Sequence, residues 1–95
     1  MINFEKIIGL QVVTSGAHIL GEVKGARIDT KTWEIKYLNV KLTVTAADKL
    51  GMKKRFRSSI ISLPVGMISA VGHVVTIARS MDELESSREI VESTE

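Results

Sequence analysis

The 95-residue chain has no cysteine, one proline, two histidines and four aromatic residues. Without cysteine there is no disulfide framework, no thiolate metal site and no cysteine nucleophile. His18 and His73 stand far apart in sequence, each within turn-forming residues, and no carboxylate shares a metal-ligand spacing with them. No zinc site is therefore expected, nor any other metal or cofactor. Ser69 lies between Gly66 and Gly72, but this is not the spacing of a nucleophile elbow. Gly21 and Gly25 precede no helix start, so they do not form a phosphate-binding loop. Met52, Met67 and Met81 read as packing filler. No enzyme is expected.

A further lack is local. No Asp, Glu, Lys or Arg occurs from Ser58 to Ala78. A membrane helix with basic flanks would share that outline. This stretch instead carries Ser58, Ser59, Ser62, Ser69, Thr76 and His73, broken by Pro64, Gly66 and Gly72. Its wealth of Val and Ile suits buried strands. The N-terminus lacks a basic region followed by an apolar one, so no secretory leader is expected, and the cytoplasm is the expected compartment.

The net charge is +2, and it hides a segregation. Residues 1–48 are balanced. Residues 49–57 hold Lys49, Lys53, Lys54, Arg55 and Arg57 with no acid, and residues 58–95 hold two basic and six acidic side chains. A length of 95 residues allows one domain with a small core. Its 44% apolar and 25% charged content is that of an ordinary globular chain.

Periodicity gives the elements. Phe4 to Gly9 reads as one helical turn with Asn3 as cap, then a strand over Leu10–Thr14 and a turn at Ser15–His18. The next strand runs from Ile19 to Ile28. Its apolar parity changes near Gly25, the mark of a β-bulge. After a glycine-free turn at Asp29–Thr32, a strand from Trp33 to Val44 places Leu38, Val40 and Leu42 on one face. Thr45 to Gly51 reads as a short helix capped by Thr45. Two or three strands follow to Ala78, with Pro64 at an edge or bulge. Ser80-Met81-Asp82-Glu83 is a capping box opening an acidic helix to about Val91, with a thin apolar stripe of Leu84, Ile90 and Val91. The expected fold is all-β: a small barrel of five to six strands with a short connecting helix and a C-terminal helix. Residues 1–80 form the barrel, and residues 81–95 the acidic helix and its tail.

Ile8-Gly9-Leu10-Gln11-Val12-Val13, Leu20-Gly21-Glu22-Val23-Lys24, Ala26-Arg27-Ile28-Asp29, Leu38-Asn39-Val40, Ile61-Ser62-Leu63-Pro64-Val65 and Ile68-Ser69-Ala70-Val71-Gly72 follow one another in this order. Over residues 4–78 this series resembles a PRC-barrel domain, as found in the photosynthetic reaction-centre H subunit and in a bacterial ribosome-maturation factor. The short form, with Met81-Asp82-Glu83-Leu84-Glu85 opening the last helix, is most similar to single-domain archaeal PRC-barrel proteins of cell division. The resemblance implies a non-catalytic adaptor. Its partners would be itself, as a dimer or larger assembly, a PRC-barrel paralogue, and a membrane-anchoring division protein of the SepF type. Trp33 departs from the family, which has a glycine or small polar residue at that turn.

Two surfaces are candidates for contact. The basic run Lys49, Lys53, Lys54, Arg55, Arg57 reads as a solvated rim, as a site for an acidic protein, or as a site for RNA or anionic lipid. Only Phe56 is interleaved with it, fewer aromatics than a nucleic-acid stacking platform needs, so a protein partner ranks ahead of RNA. The acidic helix offers a complementary surface on a second copy. Trp33 and Tyr37, on one face of the predicted strand, together with Leu84 on the last helix, mark a candidate dimer or partner interface. The alternative is that the two aromatics cover one end of the barrel.

Overall fold

A computed structural model of the chain describes residues 1–50 and 60–86, and the backbone of 91–92. The strands are β1 (Gln11–Val13), β2 (Ile19–Asp29), β3 (Glu34–Leu42), β4 (Ile60–Pro64), β5 (Ile68–Val71), β6 (Val75–Ile77) and β7 (Val91–Glu92). Two short helices, α1 (Val44–Lys49) and α2 (Met81–Ser86), complete the order. A 3-10 turn at Phe4–Lys6 precedes β1 and another at Val65–Met67 joins β4 to β5.

The strands form one mixed sheet in the order β5-β6-β1-β2-β3-β4-β7. β1 and β6 are parallel; the other pairs are antiparallel. The order ends on β5 and β7, and among the described residues no pairing joins those two. The fold is thus a small β-rich one with two short helices. Among the described residues the sheet is open, where the sequence predicts a closed barrel.

Side-chain size and alternation explain the core. Val23, Val40 and Ile61 lie opposite one another across β2, β3 and β4, and all three are fully buried. Leu20, Leu38, Leu42, Leu63, Val75 and Ile77 extend this layer, and each buried aliphatic side chain stabilises the fold by about 1.5–3 kcal/mol. Leu38, Val40 and Leu42 share the inward face that alternation assigns to them. Asn39, between two of them in sequence, is also buried, where its Oδ1 accepts a hydrogen bond from Ser62 Oγ at 2.9 Å.

The parity change in β2 is a real irregularity. Val23 faces Val40 and Gly25 faces Asn39, so Lys24 is the additional residue. A second shift between Arg27 and Ile28 leaves Lys36 of β3 as the additional residue. The first bulge keeps Val23 and Ala26 against the core although they are three apart, and the second does the same for Ile35 and Leu38. Gly21 is required by space rather than by conformation. A Cβ there would overlap the carbonyl oxygen of Lys41 and sit 2.8 Å from its carbon.

Three expectations are corrected. Helix α1 starts two residues earlier than its sequence suggests: Thr43, not Thr45, is the cap, and its Oγ1 accepts from Ala46 N at 3.1 Å. Burial of Ala46 and Ala47 fixes that phase. The last helix does not reach Val91. It spans Met81–Ser86, and Val91 and Glu92 form β7 against Ser62 and Ile61. An uncovered β4 edge would leave backbone donors and acceptors unpaired, and β-branched Val91 suits a strand. Asn3 makes no side-chain cap bond; its carbonyl accepts from Lys6 N instead. The capping box forms as expected, with Glu83 N donating to Ser80 Oγ at 3.2 Å and Ser80 N donating to Glu83 Oε1 at 3.0 Å. That bond from the Ser80 amide holds the Glu83 carboxyl below its ordinary value of 4.5.

Candidate interaction surfaces

The β2–β3 hairpin has two ends of different character. At its tip, Asp29 closes the turn. Lys31 N donates to Asp29 Oδ1 at 2.9 Å, and Trp33 N donates to the Asp29 carbonyl at 2.7 Å. This places Trp33 at φ 58, in the left-handed region. For a residue with a Cβ that conformation costs about 1–2 kcal/mol, and glycine would adopt it without penalty. Trp33 is also 77% exposed. Trp33 thus occupies a backbone position that glycine would adopt more cheaply, and its indole is open to solvent.

Trp33 precedes β3 rather than opening it, so the face-sharing with Tyr37 expected from their spacing does not apply. Tyr37 lies within β3, half-buried, with the Arg27 guanidinium 5.6 Å from its ring centroid. Such a contact is worth about 0.5–1 kcal/mol at an exposed site. Beside it Ile28 is 53% exposed. Leu84, expected at an interface, is 2% exposed and belongs to the core with Met81. Residues at two positions of the acidic segment are therefore part of the same core as residues 1–80. The exposed face of α2 is carried by Asp82, Glu83 and Glu85.

At the other end of the hairpin, β2 begins and β3 runs into α1. A groove of about 690 Å³ opens there between the Ala17–Ile19 segment, α1 and Met81. Buried Ala46 and Met81 contribute apolar lining, Ile19 is 48% exposed, and Lys49 stands at the rim. A smaller cavity of about 260 Å³ shares Gln11, Ile19 and Thr43 with it and adds Lys41 and Glu22. Glu22 is tied to Lys24 at 2.6 Å; that hydrogen bond, with the Lys24 charge, holds its carboxyl below the ordinary 4.5.

Of the basic run, Lys49 is the last residue of α1 and exposed. Lys53, Lys54, Arg55 and Arg57 lie outside the described residues. Among the described residues, no group of three His, Asp or Glu side chains is placed to hold a metal ion, and no helix is long and apolar enough to cross a membrane.

The exposed tip and the groove are not separately visible in the sequence. Trp33 stands out there as the one tryptophan of the sequence. The conformational signal lies in the glycine-free turn, where a five-residue closure needs one left-handed residue. The groove has no local signal, because it is assembled from β1, β2, α1 and α2. Compared with known protein families and with curated proteins, the chain matches none.

Proposed function

We propose that this protein is a non-catalytic protein-interaction module, a PRC-type barrel that serves as an adaptor in archaeal cell division. It acts by associating with copies of itself or a paralogue and by binding a membrane anchor of the SepF type, which recruits it from the cytoplasm to the division site. The observation that carries an interaction role is Trp33: a large aromatic side chain is held open to solvent at a position where glycine would cost less. Strained, exposed residues of this kind cluster at contact and switch sites, and tryptophan is enriched among residues that dominate binding energy. The assignment to cell division rests on the resemblance of the residue series to the PRC-barrel pattern. Four strand irregularities, one at β1, two in β2–β3 and one at β5, favour the bending a small barrel requires.

Light scattering across concentration tests self-association, and a particle that stays monomeric into the high micromolar range defeats it. A pull-down with a SepF-type protein tests the second half. The other reading is a module for RNA or ribosomal proteins, favoured by the basic run 49–57. Reversing the charge of Lys53, Lys54 and Arg57 should then abolish a salt-sensitive RNA shift, and absence of any shift at low salt removes that reading.

A further inference from the structure

We propose that the Trp33 tip of one chain seats in the groove beside Lys49 of a second copy. The inference rests on the self-association reading and names the surfaces that carry it. Four observations converge. The indole, 77% exposed, does little for its own core. The groove, at about 690 Å³, has the size of a ligand site, with Ile19, Ala46 and Met81 as apolar contacts. Charge is complementary: Glu34 directly follows Trp33, while Lys49 and Lys41 edge the groove and its neighbour. Among the described residues neither lysine has an ion pair, and Glu34 holds only an exposed contact with Lys36 at 3.6 Å, which is readily exchanged.

The fourth observation is distance. Ile19, in the groove, and Asp29, at the tip, are the two ends of the 11-residue β2. Ten strand steps span up to about 33 Å, and the longest extent of the molecule is 35 Å. Tip and groove thus lie at opposite ends of one strand, and the occupant of the groove is placed on another chain. Knob and groove are different patches, so the contact is either made twice about a two-fold axis, closing a dimer, or once head to tail, leaving one of each free on every pair.

Trp33 is the only tryptophan, so tryptophan emission reports on the surroundings of the tip alone. In the full-length protein, emission should move to shorter wavelength over the same concentrations at which sedimentation velocity shows association. Trp33→Gly suits the left-handed turn and keeps the fold, as circular dichroism would verify, yet should weaken association at least about thirtyfold, the mark of a dominant contact. Glu34→Lys and Lys49→Glu should each weaken it, and mixing the two variants should restore it, which mere structural damage would not. If Trp33→Gly associates like the parent, self-association stands through another surface and this proposal falls alone. If the parent is monomeric throughout with constant emission, both readings fall. If Trp33→Gly matters but the mixed charge variants do not recover, the groove is not the seat and the proposal is overturned. It is overturned equally if emission shifts only with phosphatidylglycerol vesicles, which would make the tip a lipid anchor.

Discussion

The two ends of the β2–β3 hairpin are built from the same two strands and serve opposite purposes. At the groove end Leu20 is fully buried and Gly21 lets the backbone of β3 approach too closely for any side chain. At the tip end Ile28 and Trp33 stand in solvent, and the turn is held in a conformation its own residue disfavours. The bulges at Lys24 and Lys36 lie between the two ends. One strand can thus give one end to stability and the other to contact, because β1 pairs only with Ile19, Gly21 and Glu22 and, among the described residues, leaves the tip end of β2 with β3 as its one strand neighbour.

The contrast can be broken most forcefully at Gly21. Gly21→Ala sets a methyl group against the fixed Lys41 carbonyl, and urea unfolding should show a loss of about 3 kcal/mol or more. Paired truncations sharpen it: Leu20→Ala should cost about 2–5 kcal/mol, whereas Ile28→Ala at the tip should stay within about 0.5 kcal/mol. Trp33→Gly should go the other way and stabilise the monomer by about 1 kcal/mol, read as a raised thermal midpoint under dilute conditions. If it destabilises instead, the indole supports its own fold and the two ends are alike. The smallest effect is in pH. Glu22, near the groove, and Glu83 have folded-state values held below 4.5, so their contributions are present above 4.5 and are lost as pH falls through the folded values. Glu22 is only half-buried and Glu83 is exposed, so Glu22→Gln should leave the neutral-pH unfolding curve unchanged and only slightly flatten its acid limb.

How far this is legible in the sequence depends on the range of the forces involved. The Lys24–Gly25 bulge is readable, because parity is a local property of alternating side chains. So is the Ser80–Glu83 capping box, whose bonds span three residues. The start of α1 is not, since Thr43 and Thr45 are equally able to cap and only the burial of Ala46 and Ala47 against the sheet decides between them. Val91 reads as helix beside Ile90 until the open edge of β4 is known. Leu84 reads as interface for the same reason: a thin apolar stripe looks exposed until the core it enters is in view. Of the candidate site, residue type at Trp33 is visible and its turn geometry is not. The groove at Lys49 belongs to four elements that meet only in the folded chain.

The parallel pairing of β1 with β6 has a consequence for synthesis. Val12 lies opposite Val75, and Val13 opposite Thr76. The first strand emerges from the ribosome early and finds β2 close behind it. Its other neighbour is not yet made until most of the chain has been translated. Such distant partners slow folding, and the nascent chain carries one side of β1 unpaired until the residues around Val75 emerge.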